Sequence, residues 1–203
     1  MIYASHLKDL PDVEHGFGTA ADGAWLSEHA HAWVKQVHSD KVLHATASGL
    51  QGEADAIVTT TPELWIAVRT ADCLPILLVD PVARVAAAVH SGWRGTAARI
   101  AAKTVLTMLE LGAEVSSLRA AIGPGIGPCC FEVGPEVSPH FGLEGRANVD
   151  LAAANERQLL EAGLALENLW VSKQCTKCEP GTFHSYRRDP GTLGRMVSAI
   201  RLL

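Results

Sequence analysis

The stretch from Thr70 to Gly95, TADCLPILLVDPVARVAAAVHSGWRG, limits the choice of fold more than any other part of the chain. It holds two apolar runs, Cys73–Asp80 and Arg84–Val89, each of strand length and separated by a turn at Asp80-Pro81. A hairpin of buried strands is the simplest reading. In an antiparallel pair the start of the first run lies beside the end of the second, and those ends carry Cys73 and His90. Two chemistries follow from a thiol brought next to an imidazole. One is a zinc site with both as ligands; the other is a Cys-His hydrolase in which the imidazole activates the thiolate. The plain alternative is a buried cysteine and a capping histidine. Ser91-Gly92-Trp93-Arg94-Gly95 leads directly into an Ala-rich helical pattern, so its amides start a helix with Arg94 beside them, a turn that attracts anions.

Composition narrows the function classes. A chain of 203 residues with 48% hydrophobic and 19% charged residues fits a single globular domain with a real core. A net charge of -5 without a basic stripe argues against nucleic-acid binding. The start, MIYASHLKDLPDVEHG, lacks a basic n-region and an apolar h-region, and no apolar run reaches membrane-spanning length, so a cytoplasmic protein is expected. In that setting the five cysteines, at 73, 129, 130, 175 and 178, read as reduced thiols. Cys129, Cys130, Cys175 and Cys178 could be combined as a four-thiolate zinc site, but adjacent cysteines fit one tetrahedral ion poorly and no second CxxC is present.

Along the chain, His15–Gly18 reads as a strand end and Trp25–His31 as short helical turns. Ala32–Thr46 alternates around Ser39-Asp40, the pattern of a hairpin with His38 just before its tip. Gly52–Asp55 is a polar turn before a strand at Ala56–Thr60, and Leu64–Thr70 is a further strand. Gly95–Leu111 is a helix stopped at Gly112, and Leu118–Ile122 a short strand. Gly123–Pro135 holds four glycines and three prolines and reads as a rigid loop of unusual backbone angles. Val149–Gly163 is an amphipathic helix with Asp150 near its start, and Leu169–Lys173 is a strand. Tyr186, Arg187, Arg188 and Asp189 form a polar and aromatic cluster before the final apolar run. Beside an anion site, such arginines can hold phosphate.

The segments QVHSDKV (36–42), EADAIVTTTP (53–62), TADCLPILLVDP (70–81), HSGWRGT (90–96), IGPGIGPCCFEVGPEV (122–137), DLAAANERQLLEAG (150–163), CT (175–176), SYRRD (185–189) and GRM (194–196) together resemble the YfiH-like family of purine nucleoside phosphorylases, also known as laccase-domain or multicopper polyphenol oxidase proteins. The resemblance implies one zinc ion held by His38, Cys73 and His90, with the fourth tetrahedral position open for catalysis. It also implies an α+β fold in a four-layer α/β/β/α arrangement, similar to toxin deamidases with a Cys-His pair. The implied activity is phosphorolysis of adenosine, guanosine, inosine or methylthioadenosine to base and ribose 1-phosphate, with deamination of adenosine at the same site. Purine nucleosides and inorganic phosphate are then the partners. Arg94, Gly95, Thr96 and Arg187 are expected to hold phosphate, and Asp72 beside Cys73 to carry a proton.

One departure from the family stands out. An FSTR-like segment, a glycine-rich turn, an SLNL-like motif and a helix ordinarily precede the QVH segment, whereas here Ala20 replaces the arginine and only Asp22–Trp33 lie between. A single domain with a shortened N-terminal region and a more open site is expected. Three other functions compete: a copper phenol oxidase, for which only His29-x-His31 has the required His-x-His form; a metal-free hydrolase using Cys73 and His90; and a zinc-binding scaffold without turnover.

Overall fold

A computed structural model describes residues 1–203. In chain order the strands are β1 (Val13–Phe17), β2 (His31–Lys35), β3 (Val42–His44), β4 (Gly49–Glu53), β5 (Ala56–Thr59), β6 (Trp65–Thr70), β7 (Leu74–Asp80), β8 (Val85–Ser91), β9 (Arg119–Ile122), β10 (Glu132–Val133), β11 (Ala147–Asn148), β12 (Leu169–Val171) and β13 (Met196–Leu202). The helices are α1 (Ser5–Lys8), α2 (Trp93–Ala97), α3 (Ile100–Glu110) and α4 (Leu151–Glu161). Two mixed sheets organise them, a five-stranded sheet ordered β1-β13-β6-β2-β4 and a six-stranded sheet ordered β12-β9-β7-β8-β5-β3. β10 and β11 pair separately.

The expected hairpin is the centre of the six-stranded sheet. β7 and β8 pair antiparallel from Leu74↔Ser91 to Asp80↔Val85, and both are buried along their whole length. Their unbroken apolar character has a direct cause, because each face of this sheet meets a different layer. Leu74, Ile76 and Leu78 pack with Ile100, Val105 and Met108 of α3 and Leu159 of α4. Leu77 and Val79 face the other way, onto Ile66, Val68, Ile200 and Leu202 of the five-stranded sheet. Helices, six-stranded sheet and five-stranded sheet thus make three layers. The outer face of the five-stranded sheet, with Trp65, Ala67, Val197 and Ala199, is covered by Trp25 and Leu26 from a segment whose only helical piece is a 3₁₀ turn at Ala20–Asp22.

Several local expectations are corrected. Ala32–Thr46 is not a hairpin: β2 and β3 belong to different sheets, because residues 36–41 cross from one to the other. The helix foreseen over Gly95–Leu111 is broken into α2 and α3 at Arg99, which adopts a left-handed conformation with φ of 63°. Trp25–His29 makes consecutive turns and His31 already opens β2. In the Gly123–Pro135 loop none of the four glycines has a positive φ. Two of them are required by crowding: a Cβ on Gly123 would lie 2.2 Å from Phe17 Cδ1, and one on Gly125 2.4 Å from Leu74 Cδ2. The ends of α4 follow the sequence closely, with Asp150 accepting from the Ala153 amide at 2.9 Å and Gly163 at φ of 101° just beyond.

Candidate metal centre and cleft

β2, β4 and β6 run parallel in the five-stranded sheet, and each is followed in the chain by a strand of the six-stranded sheet, β3, β5 and β7. Three arches therefore cross between the sheets at one end. The first carries His38, the second Asp55, and the third Asp72 and Cys73. β8 runs antiparallel to β7 and returns His90 to the same end.

Asp55 fastens the group together. It has no solvent exposure, and its carboxylate accepts from the amides of Val37 (3.2 Å), His38 (3.0 Å) and Ser39 (2.6 Å) and from Ser39 Oγ (2.7 Å). These bonds hold His38 at φ of 60°, a costly conformation for a residue with a Cβ. The same carboxylate receives His90 Nδ1 at 2.7 Å, while the Asp55 carbonyl accepts from the His90 amide at 2.7 Å. His90 is thereby left with Nε2 as its free nitrogen, the arrangement in which a carboxylate orients a metal-binding imidazole.

His38, Cys73 and His90 present one donor atom each, all within 4.8 Å of one another, with Cys73 Sγ 3.9 Å from His38 Nε2. Gly92 makes room for them: a Cβ there would stand 2.9 Å from Cys73 Sγ and 3.2 Å from His38 Cδ2. The donor set fits a zinc ion, for which two imidazoles and a thiolate leave one position open. The electrostatics suit anionic sulfur. Burial pushes the Cys73 thiol up, but hydrogen bonding from His38 and His90 outweighs it and brings the thiol down to about 6. Burial likewise disfavours a charged His90, and Asp55 together with Cys73 reverses this and raises it to about 9. Asp55, despite its burial, is lowered to about 2 by His90 and Ser39.

The centre opens into a cleft of about 610 Å³. Trp33, Phe131 and Tyr186 supply aromatic surface to it, and Lys35, Arg69, Arg187 and Arg195 supply positive charge. Arg187 is braced by the Glu132 carbonyl at 2.9 Å and lies over the Phe131 ring. Its neighbour Arg188 is a clamp, donating to the carbonyls of Thr176 and Phe183 at 3.0 and 2.8 Å. Asp72 lines the cleft at φ of 90°, with one carboxylate oxygen accepting from Thr176 Oγ1 and the other from the Arg187 amide, each at 2.7 Å. Arg94, Gly95 and Thr96 do not line it. The Arg94 guanidinium stacks on Trp93. Gly95 packs beside the Ser39 carbonyl, and the Thr96 amide and hydroxyl both donate to the Gly92 carbonyl, with Asn155 Nδ2 on the hydroxyl at 3.0 Å.

The local sequence around Asp55 has the pattern of a polar turn, which hides its role as an anchor. The available signal is the recurrence of Ala-Asp immediately before an apolar run, at Ala54-Asp55 and Ala71-Asp72. Both aspartates turn out to be buried anchors at the foot of an arch.

Residues 4–203 match the family model described as multi-copper polyphenol oxidoreductase laccase. The chain belongs to the YfiH-like laccase-domain family. It is 47% identical over 181 residues to a purine nucleoside phosphorylase of Deinococcus radiodurans, covering 84% of this chain and 70% of that one. It is 42% identical over 167 residues to adenosine deaminase RL5 from an unknown prokaryotic organism, covering 75% of this chain and 63% of the relative. The crystal structure of YlmD from Geobacillus stearothermophilus superposes with a TM-score of 0.88 at 28% identity, covering 95% of this chain and 93% of that one. The YfiH-like fold is thus an α+β arrangement of two mixed sheets, as described above.

Proposed function

We propose that this YfiH-like chain is a zinc-dependent purine nucleoside phosphorylase that also deaminates adenosine. The observation that carries the reading is the His38, Cys73 and His90 donor set at the floor of a cleft lined with aromatic rings and arginines. The names of the relatives support the substrate class. Zinc, when bound there, supplies a Lewis acid for phosphate and ribose oxygens and lowers the pKa of water. Trp33 and Tyr186 offer aromatic surface for a purine, and Arg187, Arg69 and Arg195 neutralise phosphate as it approaches C1′. Bond cleavage at C1′ leaves ribose 1-phosphate and a purine anion that takes up a proton. Asp72 is the proton carrier in this reading. Each of its oxygens accepts one bond from the loops and keeps a second lone pair for this purpose. Copper oxidation draws less support, because His29 and His31 join no group of metal-capable side chains.

The test follows adenosine by chromatography with and without phosphate, alongside metal analysis. Adenine and ribose 1-phosphate form with phosphate, and inosine forms in its absence; His38→Ala and Cys73→Ala each lose both products and one zinc equivalent. Arg187→Ala raises KM for phosphate at least about tenfold, the loss of one charge-assisted contact, whereas Arg94→Ala leaves it within about twofold. A zinc-loaded protein without purine products overturns the proposal. Asp55 orients His90, and His90 and Cys73 offer donor atoms within 4.8 Å of each other, which also suits a Cys-His nucleophile. In that second reading activity survives a chelator and is lost to a thiol alkylator.

A further inference from the structure

Away from the cleft floor, the remaining four cysteines converge. Cys129, Cys130, Cys175 and Cys178 place their sulfur atoms within 4.8 Å of one another, with Cys178 Sγ 3.6 Å from Cys129 Sγ and 3.4 Å from Cys130 Sγ. A tetrahedral zinc ion with four Zn–S bonds of about 2.3 Å sets its sulfurs about 3.8 Å apart. Adjacent cysteines are a poor pair of ligands in an extended strand, where neighbouring side chains point to opposite faces. Here they sit in a tight turn, with the amides of Cys130 and Phe131 both donating to the Gly127 carbonyl at 3.0 Å. The CxxC pair is wound the same way, the Cys178 and Glu179 amides donating to the Cys175 carbonyl at 3.1 and 3.2 Å. The two turns meet face to face. Gly127, whose Cβ would press on Cys175 Cβ at 3.3 Å and Cys129 Sγ at 3.4 Å, instead donates its amide to Cys175 Sγ at 3.2 Å. Amide donation of this kind supports a metal-bound thiolate.

We propose that Cys129, Cys130, Cys175 and Cys178 form a second, structural zinc site, distinct from the His38, Cys73 and His90 centre. All four positions are filled by sulfur, so the ion has no open coordination site, and its binding releases the thiol protons to solvent. Its role is to join the two loops that wall the cleft. The turn bearing Cys129 and Cys130 runs into Phe131, and the segment after Cys178 brings Tyr186 and Arg187. The inference does not rest on the proposed activity.

Elemental analysis and zinc X-ray absorption on the full chain, purified without chelator under reducing conditions, decide it. With both sites filled, two zinc ions per chain share five sulfurs among eight ligands, about 2.5 sulfurs per zinc, and with this site alone the value is about four. Cys175→Ser/Cys178→Ser and Cys129→Ser/Cys130→Ser each lose one zinc and lower the average to about one sulfur. The wild-type spectrum stands even where those variants do not fold. An average of one sulfur per zinc in the wild type overturns the site. So does a disulfide from Cys178 to Cys129 or Cys130 in freshly isolated protein. Iron in place of zinc overturns the metal assignment.

Discussion

Asp55 shows how much one side chain can set. Five hydrogen bonds converge on its carboxylate, four from the Val37–Ser39 loop and one from His90. An amide at this position would turn a donor toward a ring of donors. Asp55→Asn should therefore weaken the proposed zinc binding about 10–100-fold, the usual cost of losing such a partner, as measured by competition with a chromogenic chelator. His15 is a second buried polar group with a legible consequence. Burial, then the charge of His6, lowers it to about 4 from 6.5, and its Nε2 accepts from the Ala4 amide at 2.9 Å, which only a neutral ring can do. Its folded pKa lies below the unfolded one, so stability is full above pH 6.5 and is lost as pH falls toward 4. The linkage amounts to about 2 kcal/mol between pH 7.5 and pH 5. Urea unfolding at the two pH values should show that difference reduced in His15→Gln, which keeps an acceptor and cannot titrate.

At the level of elements, the hairpin of β7 and β8 was readable because continuous apolar runs carry their own signal, and it brought Cys73 and His90 together from spacing alone. His38 was not readable in that way. Local alternation on either side of Ser39 is the same whether two strands pair with each other or cross between sheets, so only family resemblance marked it as a ligand. The four-cysteine combination is visible in the sequence but looks unfavourable there, because pairwise spacing says nothing about how a turn fans neighbouring side chains. The glycines of residues 123–127 were noticed for the wrong reason, as freedom of φ rather than absence of a Cβ. Gly125→Ala tests the distinction. Its Cβ would meet Leu74 Cδ2 at 2.4 Å and the Asp72 carbonyl at 3.0 Å, so overpacking should cost about 1–3 kcal/mol in thermal unfolding, at an ordinary φ.

For the whole molecule, charge is distributed against the average. The chain carries a net charge of -5, yet Lys35, Arg69, Arg187 and Arg195 gather around one cleft. Such a focus draws anions by a field that salt screens, the Debye length shrinking from about 10 Å at 0.1 M to about 3 Å at 1 M. In the proposed phosphorolysis, KM for phosphate should rise several-fold over that range in initial-rate assays while KM for the nucleoside stays nearly level. The layer arrangement has a further consequence. Because the three arches cross at a single end, the links that close β3 to β4, β5 to β6 and β7 to β8 all lie at the other, where Val82 is 81% exposed. The molecule has a working end and an idle one. Chain length can grow, shrink or carry a fused tag across the idle end while the spacing of the donors, held one strand's length away along β7 and β8, is kept.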